Sequence, residues 1–587
     1  MAFISTTMDK LMHRMKIFSI LLYLFLPVYS CQNKIVSWNG PVLTQPRDQL
    51  SVEQLRGDSI PVLLDMSYYS RPEWAGEAKH SLSGSVSFQD TEMTYPEGRD
   101  PYEGENIFPG VTIDFITNDG DLIPIQKDIM ITGNQSKSFW DIMVGTGEVW
   151  QEEQDGEWSR ASFPLTLTDR YIGQARNCVA TFVYKSDSIS KVCVQCSQET
   201  ADLNDHQIGN MLVRLQAEYK PGHYADSAQV IERHHQFKMR RLPVFPLSTV
   251  DINNELTDYF EKSFYTNAST SLGALLMDEK LYLQPPETRH GLYPYPAEMR
   301  HGVYSVTKSM AGALSLLYFA ERYGEDIFDE LITDYVPALA GHPGWQGVTF
   351  SQTLNMVTGT VGGESSDHLF NILIQARTAE EAINNIAGLG DAPEAPGEKF
   401  NYASTNLFVL SYALQSYVEE KEGTGVYYWD LVRDNILKPI GAEYFTVMNT
   451  VEADGSKGIP RLAYGALPTL DEAAKIAMLL VNEGNYKGQQ LLNREKTREA
   501  LGRTSWQGYS TGNDYRGKYY RHSFWATDVR ANGCNVDVTY MLGYGANYVW
   551  FFPSGLTAIR FMDEYDMDFK DLVKGVEKIR SSCKKKK

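Results

Sequence analysis

Two side chains that could do nucleophilic chemistry, Ser305 and Lys308, stand three positions apart at the start of a long apolar helical pattern. At this spacing on a helix one side chain lies above the other, so the lysine amine can reach the serine hydroxyl. The helix N-terminus carries partial positive charge, which favours a neutral lysine able to act as a base. Since a serine hydroxyl is a poor nucleophile until a base takes its proton, the pair indicates a catalytic serine. The alternative interpretation is an N-cap serine beside a surface lysine.

Other catalytic signatures are missing or weaker. The sequence contains neither the HExxH pattern of zinc proteases nor the GxxxxGK[ST] loop of P-loop ATPases. One GxSxG string occurs at 508–512, but its flanks are polar and rich in turn residues, so we interpret it as a chance match in a loop. The Ser-x-x-Lys spacing recurs, without an apolar helix behind it, at Ser188/Lys191, Ser581/Lys584 and Ser582/Lys585.

Four further segments follow the Ser-x-x-Lys pair in order: VTFSQTLNMVTG at 348–359, PGEKFNYASTN at 396–406, YGALPTLDEAAK at 464–475 and GYGANYVWFFPSG at 543–555. In this order they resemble the serine β-lactamase-related family, which includes class C β-lactamases, D-alanyl-D-alanine carboxypeptidases, esterases and 6-aminohexanoate-dimer hydrolases. The resemblance spans residues 250–580 and leaves residues 32–240 uncovered. Its specificity lies in the order of the motifs, since each motif alone is common.

The resemblance implies a role for each matching residue. Ser305 matches the nucleophile, Lys308 its general base, and Tyr402 the tyrosine whose phenol relays protons to the leaving group. Such a cluster can move a proton without histidine, metal or cofactor, and we expect none of these here. The family places its oxyanion hole between the nucleophile amide and an amide on the last-motif strand. The residues expected to bind substrate or to line that hole are Ser404, Gly543, Gly545 and Asn547.

Two departures from the family pattern bear on the substrate. Where β-lactamases and carboxypeptidases have Tyr-x-Asn, this chain has Tyr402-Ala403-Ser404, which resembles the esterase and aminohexanoate-hydrolase branch. No Lys-Thr-Gly or His-x-Gly precedes the last strand, where residues 538–543 are VTYMLG. A lysine there would help to bind a substrate carboxylate, so its absence disfavours true β-lactamase activity. Asn547 replaces the glutamine of the family's GyGGQ motif and keeps an amide.

The elements that must position these residues are visible in the pattern. Helices are predicted where apolar residues recur at helical spacing, over 309–323, 407–419 and 471–482. Strands are predicted over 547–552 and 557–561, joined by a Pro-Ser-Gly turn. For residues 250–580 the resemblance implies an α/β fold of the β-lactamase/transpeptidase type, an antiparallel sheet flanked by helices with a helical subdomain.

Residues 32–240 have a different character and predict a β-rich domain. Short strand-like stretches alternate with turn-rich segments, and strands are predicted over 83–88, 111–115, 125–131 and 178–184. Trp140, Trp150 and Trp158 could form a carbohydrate platform, although buried tryptophans are the more common case. The proline-containing stretch 240–247 is interpreted as the linker to the second domain.

The N-terminus predicts export. An apolar run at 17–28 follows three basic residues, which is typical of a secretory signal peptide over residues 1–30, and it is shorter than the roughly 20 residues that span a bilayer. The run leads into Val-Tyr-Ser-Cys, which resembles a bacterial lipobox with Cys31 as the lipidated residue. We therefore expect an outer-membrane lipoprotein facing the periplasm. The alternatives are ordinary cleavage with secretion and an uncleaved anchor.

Composition and cysteines limit the partners. The chain has 587 residues, of which 43% are hydrophobic, enough for cores in two or more domains. With 54 Lys+Arg against 74 Asp+Glu the formal charge is -20, so nucleic-acid binding is not expected. In an exported protein, Cys178, Cys193 and Cys196 are expected to supply one disulfide, with half a zinc site at Cys193-x-x-Cys196 as the alternative.

The sequence therefore predicts an exported serine hydrolase, held at the membrane by a lipid anchor. It would act through an acyl-enzyme on a small ester, a linear amide or a peptide. Two alternatives stay open: a catalytically silent binding module with the same fold, and a glycan-binding N-terminal domain that carries the main role.

Overall fold

The computed structural model describes residues 38, 40–58, 62–98, 101, 103–132, 136–198, 209–261, 270–360, 364, 369–390, 394–513, 516–562 and 568–583. The predicted signal peptide 1–30 and Cys31 lie outside these residues. Contacts unite Ser37–Lys587 in one compact unit. Of the helices formed by the described residues, none combines the length and the apolar character needed to cross a membrane.

The first of two large sheets, called here the N-terminal sheet, has 12 antiparallel strands. In chain order they are Ser83–Ser87, Thr94–Gly98, Thr112–Asn118, Asp121–Pro124, Trp140–Val144, Gly147–Trp150, Ser159–Asp169, Ala175–Lys185, Ser188–Ile189, Val192–Gln198, Gly209–Leu215 and Glu218–Pro221. The strands Ser159–Asp169 and Ala175–Lys185 are buried along almost their whole length. The sheet is therefore covered on both faces at its centre.

Most of the strands predicted in this region are confirmed. The predictions at 83–88, 111–115 and 178–184 coincide with observed strands. The prediction of a continuous strand at 125–131 is wrong: the strand ends at Pro124, one further bond joins the Ile125 N–H to the Asp114 carbonyl at 2.9 Å, and Met130 forms an isolated bridge with Ile142. Lys127 instead turns its amine to the Thr146 hydroxyl at 2.8 Å.

Two of the three tryptophans proposed as a carbohydrate platform belong to the core. Trp140 and Trp150 have 0% exposure, so the platform interpretation is wrong for them. Their indole N–H groups donate to interior acceptors at 2.8 and 2.9 Å. Trp158 is half-buried, with the cationic ends of Arg56 and Lys185 each 4.9 Å from its ring centre.

The second large sheet, called here the C-terminal sheet, has 9 strands. From edge to edge they are Val244–Pro246, Lys280–Gln284, Thr270–Met277, Thr557–Met562, Asn547–Phe551, Cys534–Gly543, Phe524–Ala531, Gly517–Arg521 and Tyr509–Asn513. The predicted linker 240–247 thus contains an edge strand, which pairs in parallel with its neighbour, whereas the other pairs are antiparallel. The GxSxG string lies on the opposite edge strand and not in a loop.

Helices pack against both sheets. The α-helices of the described residues are Val52–Arg56, Ser227–Met239, Glu255–Glu261, Leu314–Tyr323, Ile332–Tyr335, Phe350–Leu354, Ala379–Ala387, Ser404–Glu422, Tyr428–Val432, Lys438–Ile440, Leu470–Val481, Arg494–Ala500 and Lys570–Ile579. The segments Lys308–Ala313, Phe370–Ile374 and Arg433–Leu437 have π-helical hydrogen bonding. The helices predicted at 407–419 and 471–482 are confirmed within a few residues, and the one at 309–323 begins with a π-helical segment.

Two disulfides are present among the described cysteines. Cys178–Cys196 joins directly opposed residues of adjacent strands, which confirms the expected disulfide in this group. Cys193 keeps a buried free thiol, so the pair Cys193-x-x-Cys196 does not form half of a zinc site. Cys534–Cys583, which was not predicted, ties the C-terminal sheet to the segment after the last helix.

Candidate active site

The nucleophile turn, residues 301–308, ends a segment that is held by the N-terminal sheet. Tyr293 and Tyr295 donate their phenol hydrogens to strand carbonyls of that sheet, each at 3.0 Å. Tyr304, directly before Ser305, has φ 45°. Left-handed backbone at a bulky residue costs of order 1–3 kcal/mol and persists where the surroundings impose it, often at functional sites. A π-helical segment follows at once, another feature common at such sites.

The Lys308 amine is the centre of the predicted cluster. Its Nζ lies 2.7 Å from Ser305 Oγ, 2.8 Å from Ser404 Oγ and 2.8 Å from the Ala463 carbonyl oxygen. The pKa of Lys308 is lowered from 10.5 to about 8, mainly by burial; the Glu364 charge opposes this shift and the Arg516 charge adds to it. A neutral amine has two hydrogens and one lone pair. With Ser404 and Ala463 taking the hydrogens, the lone pair points at the Ser305 hydroxyl.

Tyr402 completes the cluster. The Lys308 Nζ atom lies 4.9 Å from the centre of the Tyr402 ring. Burial and then the Glu364 charge raise the pKa of Tyr402, against the effects of a hydrogen bond with Ser305 and of the Arg516 charge. The phenol is therefore protonated at neutral pH and can donate. An aromatic wall holds the ring in place, formed by Phe400, Tyr520 and Trp525.

The predicted substrate and oxyanion residues divide into two groups. Ser404 lies inside the cluster, at the start of helix Ser404–Glu422, and accepts a hydrogen bond from Lys308. Gly543 approaches the nucleophile turn so closely that a Cβ on it would lie 2.1 Å from the Val303 carbonyl oxygen and 3.2 Å from the Val306 nitrogen. Only glycine permits this contact, which brings the end of strand Cys534–Gly543 beside the turn.

Gly545 and Asn547 build the turn after that strand. Gly545 has φ 72°, the left-handed backbone that glycine adopts without strain. The Asn547 side chain is 1% exposed and donates to the Tyr544 carbonyl at 2.7 Å, while its oxygen accepts from the Met562 N–H at 3.1 Å. Both ends of this amide are occupied by backbone groups, so in the structure Asn547 braces the turn.

Two charged residues at the site were missed from the sequence. Glu364 accepts a hydrogen bond from the Ser404 backbone N–H. Arg516 is half-buried, and its guanidinium carbon lies 5.9 Å from the centre of the Tyr402 ring. Among the described residues Arg516 has no ion-pair partner. Neither Glu364 nor Arg516 belongs to one of the family motifs. From the sequence a cation was sought at 538–543, whereas Arg516 directly precedes strand Gly517–Arg521.

The chain is similar to a known protein family and to solved structures. Residues 282–559 match the model of the Beta-lactamase family. Among solved structures, a D-stereospecific amidohydrolase from Streptomyces sp. is 14% identical, with 57% of this chain and 99% of that chain covered and a TM-score of 0.41. A D-amino acid amidase from Ochrobactrum anthropi SV3 is 16% identical, with coverages of 56% and 100% and a TM-score of 0.40. Among curated proteins no relative matches the chain.

The family match confirms the resemblance drawn from the order of the motifs. It also confirms the fold class, since the matched range contains most of the antiparallel C-terminal sheet and the helices around it. The β-rich region predicted to precede this domain is present as the N-terminal sheet, which the family model does not reach.

Proposed function

We propose that this protein cleaves an ester or amide through an acyl-enzyme on Ser305. Residues 282–559 match the Beta-lactamase family, whose members are serine hydrolases. The observation that carries the proposal is the buried Lys308 amine, 2.7 Å from the Ser305 hydroxyl and with a pKa lowered to about 8. A buried amine with this pKa is neutral in a useful fraction of molecules near neutral pH.

The cluster can carry each proton of the reaction. As Ser305 Oγ forms a bond to the substrate carbonyl carbon, its proton passes to the lone pair of Lys308. The leaving oxygen or nitrogen takes the phenol proton of Tyr402 as its bond to carbon breaks, and the proton on Lys308 restores the phenol. A water molecule then attacks the acyl carbon by the same route. It releases the acid and regenerates the Ser305 hydroxyl.

Covalent labelling tests this proposal directly. We expect a fluorophosphonate probe to label the full-length protein, and we expect Ser305→Ala to abolish the label. Ser510→Ala is the matched control, because Ser510 is an exposed serine in the GxSxG string. Absence of label on the wild type, or equal label on Ser305→Ala, would contradict the proposal.

The charge of the substrate is a finer part of the proposal. A half-buried guanidinium that forms no ion pair with any carboxylate of the described residues favours a substrate that carries an anionic group close to the scissile bond. The Arg516 guanidinium would then bind the substrate carboxylate, a role for which the family uses a lysine that this chain lacks at 538–543. We expect Arg516→Gln to raise KM for a carboxylate-bearing ester about 10-fold. The KM for a neutral ester of the same size should stay unchanged. Equal effects on the two esters would exclude this role.

Export and lipid anchoring are proposed from the sequence alone. Cys31 would carry the lipid, and the mature protein would face the periplasm from the outer membrane. Incorporation of an alkyne-tagged fatty acid into the wild type, and its loss in Cys31→Ser, is the expected result. Incorporation that is equal in both proteins would contradict the lipobox interpretation.

A further inference from the structure

A tight turn of the N-terminal sheet reaches into the hydrolase region. This turn, residues 170–174, joins strands Ser159–Asp169 and Ala175–Lys185 and is called here the tip. The Asp169 carboxylate accepts hydrogen bonds from three of its backbone N–H groups, each at 2.7 Å. The tip is therefore held in one conformation by a residue of its own strand. Its Ile172 is 5% exposed and packs in the hydrophobic core of the C-terminal region.

The tip rests on one face of residues 463–468. Gly173 has φ 80°, and a Cβ on it would lie 3.1 Å from Met448 Sδ and 3.3 Å from the Tyr464 carbonyl oxygen. The next nearest atom is the Cα of Gly465, at 3.8 Å. Backbone packs directly on backbone here, so a displacement of the tip displaces the segment beneath it.

Residues 463–468 also hold the nucleophile turn. The Ala463 carbonyl accepts from the Lys308 amine at 2.8 Å. The Ala466 N–H donates to the Thr307 hydroxyl at 3.0 Å, and the Pro468 carbonyl accepts from the His301 N–H at 3.0 Å. Residues 463–468 thus contact both the tip and the reacting lysine.

The strand that follows the tip holds the same segment at its other end. The Asn177 side chain donates to the Arg300 carbonyl at 2.9 Å and accepts from the Arg300 N–H at 3.2 Å. The Arg300 guanidinium donates to the Leu467 carbonyl at 2.7 Å. Two points of the N-terminal sheet, Gly173 and Asn177, therefore bracket residues 463–468.

We propose that the tip is a positioning element of the hydrolase, which presses residues 463–468 against the nucleophile turn and so holds the Lys308 amine in line with Ser305. The inference rests on the proposed function. The tip makes no contact with the reacting atoms in this arrangement and acts through Tyr464 and Ala463. Displacement of catalytic groups by an ångström can cost up to about 100-fold in rate, so a support at this position has a measurable consequence.

A pair of glycine variants tests the proposal in the full-length protein. Gly173→Ala puts a methyl group against Met448 and Tyr464. Gly120→Ala is the matched control, since Gly120 forms another turn of the same sheet with φ 83° and its nearest neighbours would lie 3.8 and 3.9 Å from a Cβ. The two changes strain the backbone alike, but only the first meets residues 463–468.

We expect Gly173→Ala to lower kcat about 10-fold and Gly120→Ala to leave it within about twofold, at similar thermal stability. We also expect Gly173→Ala to move the kinetic pKa assigned to Lys308 upward, because a loosened wall admits water and burial is the main cause of its lowered pKa. A structural role alone would lower the melting temperature in both variants and move neither kcat nor this pKa.

Ile172→Val is the second variant if Gly173→Ala does not fold. Removal of one methyl group from the tip should change kcat and the kinetic pKa in the same directions by a smaller factor. An active wild type whose folded tip variants match Gly120→Ala in kcat and pH profile would overturn the inference. A wild type that neither labels nor hydrolyses would instead overturn the proposed function.

Discussion

Two buried cations, Arg160 in the N-terminal sheet and Lys308 in the C-terminal region, differ in whether a carboxylate pairs with them. In the N-terminal sheet, Arg160 pairs with Asp155 at 2.6 Å, with both side chains almost fully buried. In the C-terminal region Lys308 is just as buried, but none of the described carboxylates forms an ion pair with it. A paired cation keeps its charge and contributes to a unique fold, whereas an unpaired one tends to lose its proton.

The difference shows where a buried charge marks a reactive site. The N-terminal region adds a second enclosed pair, Arg47 with Glu152 at 2.9 Å, and Glu152 also lies 3.3 Å from Arg160. All these groups have a partner of opposite sign. The lowered pKa of Lys308 comes first from burial, and burial without an ion-pair partner among the described carboxylates would let the amine act as a base.

The largest expected effect comes from removal of the unpaired cation. Lys308→Met replaces a buried amine by an apolar side chain of similar length, so activity should fall about 10⁴-fold. The melting temperature should stay equal or rise, because no buried partner is left without its charge. Steady-state hydrolysis and thermal unfolding of the same sample check both halves. A folded variant with wild-type activity would contradict the assignment of the base.

Replacement of the paired cation Arg160 by Met should lower stability and leave activity unchanged. Arg160→Met leaves Asp155 and Glu152 buried without their partner, and we expect it to lower the free energy of unfolding by about 3–5 kcal/mol. The activity of the protein that stays folded should match the wild type. Lys79→Met is the control, because Lys79 belongs to an exposed pair with Glu157, and it should cost less than about 1 kcal/mol. Chemical denaturation measures both.

The pH profile sharpens the assignment of the unpaired cation. Since the neutral form of Lys308 is the base and its pKa is lowered to about 8, kcat/KM should rise with pH up to about 8 and then level off. Glu364 raises the pKa of Lys308 and Arg516 lowers it. With a neutral ester, Glu364→Gln should therefore shift the rise to lower pH and Arg516→Gln to higher pH. Shifts of the same sign in both variants would contradict this arrangement.

The smallest effect is expected at the junction of the two regions. Burial alone would raise the pKa of Glu298, but Lys127, Arg241 and Arg300 together lower it from 4.5 to about 2. The stability that Glu298 contributes is therefore present above pH 4.5 and is lost as the pH falls toward 2. Glu298→Gln should have a lower free energy of unfolding than the wild type at neutral pH. Between pH 4.5 and about 2 its free energy of unfolding should fall less than that of the wild type. Glu157→Gln, an exposed control, should follow the wild type.

Sequence reasoning proposed Ser305, Lys308 and Tyr402, which the structure brings together, because their chemistry restricts both type and order along the chain. It missed Glu364 and Arg516. A charge beside Tyr402 or Ser404 can come from any loop that reaches them, so neither the residue type nor its position in the sequence is restricted. Such a contact leaves no spacing rule in the sequence. The turn position of Asn547 was inferred, but its bonds to two backbone groups depend on the packing of neighbouring strands.

The N-terminal region shows the same limit for the fold. Alternation and turn residues predicted most of the strands that were proposed, yet at 125–131 the pairing stops after Ile125 and returns only as an isolated bridge at Met130. The stretch 240–247 looked like a linker because it is short and contains prolines, and both properties are also tolerated in an edge strand. This edge strand pairs with Lys280–Gln284, which follows more than 30 residues later, so the composition around 240–247 cannot reveal the pairing.

The strand Val244–Pro246 has a consequence for how the molecule can be divided. It covers the edge of strand Lys280–Gln284 by parallel pairing. A shortened protein that began after Pro246 would present that edge as an open template for strands of other copies, and we expect it to aggregate. A cut upstream of the strand would keep the edge closed. Any truncation to a soluble fragment should therefore start before Val244.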